Sequence, residues 1–399
     1  MTSVTAEPSP ARPRLASLLA KPHLPLLLTC LAMAGIGLVM ILSASSIQAF
    51  SQFGTSFSYF NRQMLGFGIG LVAMAVMARS DYRKLRPLAR PVLGACVLLL
   101  IAVIIPGIGS TRGGSSRWLV LGPLSVQPSE IAKLALIIFA ATVLESKGAK
   151  IRDPREMAVP LLPMTGLIAL LVMAQPDLGT TVILGSTVLV VLFLAGTRLP
   201  HIGLLGGAGL ISVVILSFTR SYRRERVFSF LDPWADPLNT GYQVIQGQIA
   251  LGSGGFFGVG LGASRQKWSY VPNAHTDFIF AIIGEELGLA GTLTVLLLFV
   301  FLIYLGVRVA RQAPDRFGLL LAGGITGMIG IQALINMGAI AGLLPITGVP
   351  LPLISFGSTS LVLTMAAVGI LLSIAKRGNT RRRPAATTPT KATQPLVQG

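Results

Sequence analysis

Long apolar runs alternate with short polar connectors along this chain. A helix needs about 20 apolar residues to cross a bilayer. Such runs recur at 24–43, 61–78, 91–107, 128–145, 157–174, 180–197, 201–219, 278–307, 317–341 and 358–375. None alternates with a period of two as a barrel strand would, and only helices and closed barrels satisfy the backbone in lipid. The pattern predicts an all-α integral membrane protein with about ten transmembrane helices. It also divides the chain into a tail at 1–22, a membrane domain at 23–376 and a basic, Pro- and Thr-rich tail at 377–399 that reads as disordered. The first run is longer than a signal h-region and lacks a clear cleavage site, so it reads as a retained span.

Two connectors break the helical pattern. Residues 220–277 form one long loop between the seventh and eighth spans. Within it, Thr240–Ala250 predicts a short interfacial helix. The stretch Gly252–Gly262 lacks the Lys-Ser/Thr ending of a phosphate-binding loop, so it reads as a flexible, substrate-facing segment. Leu344–Gly357 holds Pro345, Pro350 and Pro352, which forbid a continuous helix. Such backbone must be buried in protein or line a wet cavity.

Composition excludes a soluble body: 52% of residues are apolar and 12% charged, against about 25% charged in soluble domains. The mean hydropathy is +0.75. The formal charge of +18 reflects topology rather than nucleic-acid binding, because no basic, aromatic-interleaved globular domain exists. Most Lys and Arg fall at 79–90, 147–155, 308–316 and 376–383, which places those segments and both termini in the cytoplasm. The 220–277 loop then faces outward. Its arginines and Lys267 suit either lipid headgroups or an anionic substrate at the outer surface. Trp118, Trp234 and Trp268 all fall in outer loops, as interfacial anchors or sugar-stacking rings. Cys30 and Cys96 sit in apolar runs, and with three His a zinc site is not indicated.

Ionisable residues inside spans are costly and mark function by default. Glu130 and Lys133 are three apart and share a helix face. They read either as a self-neutralising pair or as a phosphate-binding lysine with its counter-ion; Ser129 reads as the N-cap of that span. Asp177, in Gln175-Pro-Asp-Leu-Gly, reads as the cap of the next helix. In His275-Thr-Asp-Phe, Thr276 can cap the eighth span and Asp277 can sit in its first turn. The alternative is that Asp277 is a general base at the mouth of a cavity. Glu285 and Glu286 lie about 12 Å deeper along a helix, so a two-carboxylate glycosidase pair is not indicated.

Together these segments resemble the SEDS family, the FtsW and RodA proteins, over roughly residues 24–375. The motifs that carry the resemblance are Arg117-Trp-Leu, Gln127-Pro-Ser-Glu-x-x-Lys133, Gln175-Pro-Asp-Leu-Gly, Asp236-Pro-Leu-Asn-Thr-Gly-Tyr-Gln243, His275-Thr-Asp-Phe and Pro345–Phe356. The spelling Gly262-Ala-Ser-Arg-Gln-Lys267 and Tyr270–Glu286 is closer to FtsW than to RodA. Asn273, where the family has an acidic residue, and Ser358-Thr359 depart from the pattern. The resemblance implies an inverting peptidoglycan glycosyltransferase in the bacterial inner membrane, at the division septum. It implies polymerisation of lipid II into β-1,4 glycan strands with release of undecaprenyl pyrophosphate. Asp277 maps onto the catalytic aspartate, and Lys133, Glu130, Arg117, Arg226, Lys267, His275, Thr276, Gln243 and Ser355 are the expected substrate-binding residues. A divalent cation, Mg2+ or Mn2+, is a possible aid to pyrophosphate departure, with no ligand cluster to prove it. The implied partners are lipid II and the growing glycan strand, an FtsI-like class B penicillin-binding protein, other division proteins and membrane lipid. The alternatives are a RodA-like elongation polymerase and a lipid II flippase. The flippase reading calls for mid-membrane charges and repeat halves, and no repeat is visible.

The charge pattern makes a topological prediction. An impermeant thiol reagent on intact cells should label Thr240→Cys and spare Lys84→Cys; the reverse pattern contradicts the orientation.

Overall fold

The computed structural model describes residues 22–112, 115–122, 124–266 and 274–380. Nearly all of both expected tails, and also Lys267, Trp268 and Asn273, lie outside the described residues. The long helices are α1 (His23–Phe53), α2 (Ser58–Arg79), α3 (Leu85–Ile104), α4 (Pro128–Lys147), α5 (Leu161–Ala174), α6 (Leu178–Ala195) and α7 (Leu199–Phe218). Two shorter helices, α8 (Ser221–Leu231) and α9 (Tyr242–Ser253), precede α10 (Ile279–Arg311), α11 (Arg316–Ile340) and α12 (Ser358–Thr380). Among the described residues, nine helices are long and apolar enough to cross a membrane. Helix α4 has similar length but carries Glu130, Lys133, Glu145 and Lys147, and its residues are buried against other helices. At the opposite extreme, α7 buries only Ser217 and turns its leucines and isoleucines outward. The multi-pass all-α expectation holds, and α9 covers the helix expected at 240–250.

Helix α12 runs along α2, and glycines set their approach. A Cβ at Gly369 would lie 2.5 Å from the Met74 carbonyl oxygen, and one at Gly70 2.6 Å from Met365 Sδ. Small residues at a helix interface serve this purpose in membranes. At the end holding the 79–85 and 311–316 connectors, Asp315 accepts from the Tyr82 hydroxyl at 2.6 Å and from Arg83 Nε at 2.8 Å. Arg86 pairs with Glu145 at 3.1 Å at the same end.

Three features differ from a plain helical bundle. A three-stranded antiparallel sheet, β1 (Ser110–Arg112), β2 (Ser115–Leu121) and β3 (Leu124–Val126), joins α3 to α4. There Gly122, at φ 61°, helps turn β2 back along β3. Helix α10 is broken at Gly288, whose φ of 66° and ψ of −160° only glycine adopts readily. The glycine-rich segment repairs that break. Leu289 and Ala290 N–H donate to the Gly255 and Phe256 carbonyls at 2.9 and 3.0 Å, and the Glu285 carbonyl accepts from Val259 N–H at 2.9 Å. A Cβ at Gly288 would meet Gly258 N at 2.4 Å. The reading of Gly252–Gly262 as a flexible substrate-facing loop is therefore corrected: its backbone is bonded to the broken helix.

The third feature is the 344–357 loop, which sinks into the bundle. Val349, Leu351, Leu353 and Ile354 are buried. A Cβ at Gly37 of α1 would come within 2.7 Å of the Ile354 carbonyl oxygen. Side chains from the surrounding helices satisfy the loop's carbonyls, as buried backbone requires. Gln332 Nε2 donates to Pro350 O at 2.9 Å and Asn336 Nδ2 to Val349 O at 2.8 Å.

Candidate functional site

Asp277 lies two residues ahead of α10. The expected helix cap does not form: Phe278 takes the N-cap position, no side chain caps it, and no acidic residue lies in the first turn. Thr276 instead donates its hydroxyl to Asp277 Oδ1 at 2.9 Å. Asn336 Nδ2 donates to the Asp277 carbonyl oxygen at 2.8 Å and so ties this segment to α11 and to the sunken loop. Asp277 is only 9% exposed. Burial pushes its carboxyl above the usual carboxylate range, against the opposing pull of the Thr276 hydrogen bond and the Arg226 charge. Asp277 sits outside the first turn, so desolvation rather than a helix dipole sets its basicity.

Arg226, from α8, holds a fixed place beside this carboxylate. Its Nη1 donates to Ile346 O at 3.2 Å, and its guanidinium lies 4.6 Å from the Tyr222 ring centre. Between cation and carboxylate stands Gly348, at φ 72°. A Cβ there would lie 3.5 Å from Arg226 Nη1 and 3.8 Å from Asp277 Oδ2. Glycine thus keeps open the gap between the two charges. Arg226 opens onto a cavity of about 220 Å³ that Arg117, Arg223 and Tyr222 also line, with Val182, Val213 and Ile335 on its apolar wall. Burial, and then the charges of Arg220 and Arg117, pull the Arg223 guanidinium below its usual value.

Arg117 positions the Gln175–Gly179 turn. Its Nε donates to Gln175 O at 2.9 Å, its Nη2 bonds Pro176 O, and its Nη1 lies 3.7 Å from Asp177 Oδ2. Asp177 caps α6 as expected, accepting from Thr180 N–H at 3.1 Å. Ser129 does not cap α4: Gln127 takes that position and the buried Ser129 hydroxyl has no partner among the described residues.

Glu130 and Lys133 do pair, at 2.7 Å, and are 5% and 4% exposed. Lys133 Nζ also donates to Gln332 Oε1 at 2.7 Å. Gln332 and Asn336 are four apart on α11, hence on one face. They carry a hydrogen-bonded chain from the buried ion pair through Pro350 and Val349 to Asp277. Sequence reasoning missed both residues, although amides four apart in an apolar span were a usable signal. It also passed over Gly348, and it counted Arg223 only as one of the loop's arginines.

The remaining candidates lie elsewhere. Ser355 Oγ accepts from Leu351 N–H at 2.8 Å and so works inside the sunken loop. Gln243 lies in the first turn of α9, half-buried and away from the arginine cavity. His275 packs its ring 4.6 Å from that of Tyr59 and 5.4 Å from Phe356, and burial holds it neutral by lowering its pKa to about 4. Glu285 and Glu286 are engaged elsewhere: Arg265 N–H donates to Glu285 at 2.8 Å and Ser43 Oγ to Glu286 at 2.6 Å.

The model of the FtsW, RodA and SpoVE family, described as "Cell cycle protein", matches residues 24–380. The chain belongs to this family. Stage V sporulation protein E of Bacillus subtilis is 44% identical over 355 residues, covering 89% of this chain and 97% of the relative. The probable peptidoglycan glycosyltransferase FtsW of Geobacter metallireducens is 43% identical over 352 residues, covering 88% and 94%. Among solved structures, one described as "Structural coordination of polymerization and crosslinking by a peptidoglycan synthase complex" matches with a TM-score of 0.73 at 33% identity, covering 89% of this chain and 97% of its own. The rod shape determining protein RodA of Thermus thermophilus matches with a TM-score of 0.66 at 29% identity, covering 88% and 96%. The 43% identity to FtsW, against 29% to RodA, agrees with the spelling of residues 262–286, and stage V sporulation protein E stands level with FtsW at 44%. In this FtsW/RodA/SpoVE chain, Asp277 of the His275-Thr-Asp-Phe segment is a buried carboxylate that accepts from Thr276.

That burial fixes a prediction of sign. A carboxyl whose folded pKa is raised stabilises the fold fully only below its unfolded value of about 3.9, and loses that contribution as pH rises through the folded pKa. Above that unfolded value the raised pKa is therefore a cost to the fold. Asp277→Asn should melt at or above the parent's temperature at neutral pH, and the difference should narrow on acidification. A helix cap would instead lose about 1 kcal/mol in the variant, so a lower Tm at neutral pH contradicts this picture.

Proposed function

We propose that this chain is the peptidoglycan glycosyltransferase that polymerises lipid II during septal wall synthesis. It spans the bacterial inner membrane with both termini in the cytoplasm and the Asp277 end outward. The observation that carries the reading is a buried carboxylate of raised basicity beside Arg226, the residue that itself lines an apolar cavity rimmed by arginines. A polyprenyl pyrophosphate is an anion with an apolar tail, and that cavity offers both complements. The family membership and the relatives named peptidoglycan glycosyltransferase support the same reading.

In the reaction, the GlcNAc 4-hydroxyl of the acceptor attacks the MurNAc C1 of the donor. The hydroxyl proton passes to Asp277, and the C1–O bond to the pyrophosphate breaks with its electron pair. Attack from the face opposite the leaving group converts the α link to β. Arg226 and Arg223 offset the charge that develops on the departing pyrophosphate. Lys133 acts at a distance: through Gln332 it holds the loop that carries Gly348. Lys267 is assigned to the same anion by motif alone. A divalent cation aiding departure would be held mainly by the pyrophosphate and water; among the described residues no group of three His, Cys, Asp or Glu could hold one, and no step is routed through metal. The partner is an FtsI-like class B penicillin-binding protein, acting with other division proteins; the synthase complex that this fold matches is described as coordinating polymerisation and crosslinking.

The test is polymerisation of purified lipid II by purified protein together with its partner. Asp277→Asn should lower the rate by a factor of at least about 10², the lower end of positioned acid–base catalysis. Retention of more than about a tenth of the parental rate would leave too little for that role. Transport of lipid II without polymerisation by the parent would favour a flippase instead.

A further inference from the structure

A second chamber, of about 600 Å³, shares no lining residue with the arginine cavity. Its wall brings the rings of Tyr59, Trp118, His275 and Phe356 together with Gln48 and Arg62. The Tyr59 ring stands edge-on to Phe356 at 5.2 Å and packs on His275 at 4.6 Å. The Tyr59 hydroxyl is turned away, donating to Gln52 Oε1 at 2.7 Å, so its ring rather than its oxygen serves the chamber. His275 is 5% exposed, and its Nδ1 is closed off from the chamber. Among the described residues no carboxylate lines the chamber, and its cation, Arg62, is exposed and lies 5.4 Å from the Phe53 ring centre.

Chemistry narrows the occupant. A pyrophosphate needs more than one exposed cation. An acyl chain would set apolar surface against Gln48 and Arg62 at a cost. A pyranose meets both demands: its C–H faces lie against aromatic rings and its hydroxyls pair with amide and guanidinium groups. Thr276 also lines the chamber, and its hydroxyl is the one that hydrogen-bonds Asp277 Oδ1 at 2.9 Å. A sugar hydroxyl in the chamber is thus one residue from the carboxylate.

We propose that this aromatic chamber is a saccharide subsite that holds the N-acetylated amino-sugar end of the acceptor, apart from the arginine cavity that takes the donor's anionic leaving group. The assignment of acceptor and donor rests on the glycosyltransferase reading above. The geometry makes the rings of Tyr59 and Trp118 specificity determinants for sugar, with no part in binding the lipid pyrophosphate.

The test titrates the purified protein with its partner against two separate probes, a lipid-free N-acetylglucosamine-terminated tetrasaccharide and a polyprenyl pyrophosphate. Tyr59→Leu and Trp118→Leu should each weaken the tetrasaccharide about tenfold, the scale of one lost ring contact, and leave the pyrophosphate within about twofold. Tyr59→Phe, which keeps the ring, should bind both like the parent, and Arg226→Ala should lose the pyrophosphate alone. Retained pyrophosphate binding reports that a variant is folded; a Leu variant that does not melt like the parent is replaced by Trp118→Phe, with a smaller loss of sugar affinity expected. Equal tetrasaccharide affinity in parent and folded variants overturns the subsite. So does a parent that polymerises lipid II but binds no tetrasaccharide. Ring-dependent sugar binding by a parent that does not polymerise lipid II would sustain the subsite and defeat the glycosyltransferase reading.

Discussion

The architecture of the site depends on one constraint: the 344–357 loop is non-helical backbone inside a membrane bundle, and its polar groups must find partners there. They find them on neighbouring helices. Gln332 and Asn336 reach Pro350 and Val349, Gln63 bonds both Ser355 O and Gly357 N–H, and Phe356 N–H donates to His275 O. The last of these, with Asn336 on the Asp277 carbonyl, couples the loop to the His275–Asp277 segment. Loop and His275–Asp277 segment therefore hold one another. Placement of Gly348 between Arg226 and Asp277 follows from that mutual support.

The buried Glu130–Lys133 pair belongs to the same construction. Removing one partner of a buried ion pair costs about 3–5 kcal/mol, far more than the pair adds over an apolar substitute. Its value lies in direction: Lys133 fixes the Gln332 amide, and that amide faces Pro350. Among the described residues Asp277 has no counter-ion as close. Desolvation raises its basicity while the Thr276 hydrogen bond and Arg226 limit the rise. The fold thus keeps one carboxylate paired and leaves the other with its basicity raised.

Much of this was legible in the sequence because span helices are local objects. Apolar runs located α1 to α7 and α10 to α12, Glu130 and Lys133 paired at helical spacing, and Asp177 capped α6. Motif spelling singled out Asp277. What sequence reasoning missed was long-range. The break at Gly288 is repaired by a segment some thirty residues earlier, so the glycines of 254–260 looked flexible when they are bonded. The small sheet falls between spans, where helical periodicity carries no signal. The roles of Gln332, Asn336 and Gly348 exist only once the loop is folded against them. The Thr276 and Ser129 caps failed for a local reason: each helix begins at a different residue from the one that composition suggested.

The central claim is that Asp277 accepts the acceptor's proton with a basicity set by burial and moderated by Arg226. The pH dependence of kcat/KM for lipid II polymerisation, which reports the essential base of the free enzyme, tests it most directly. The parent's acid limb should have its midpoint above the ordinary carboxylate value of about 4. In Arg226→Ala that midpoint should move higher still, because the cation that lowers the Asp277 pKa is gone. An acid limb at the ordinary carboxylate value, or a midpoint that does not move in Arg226→Ala, would contradict the account.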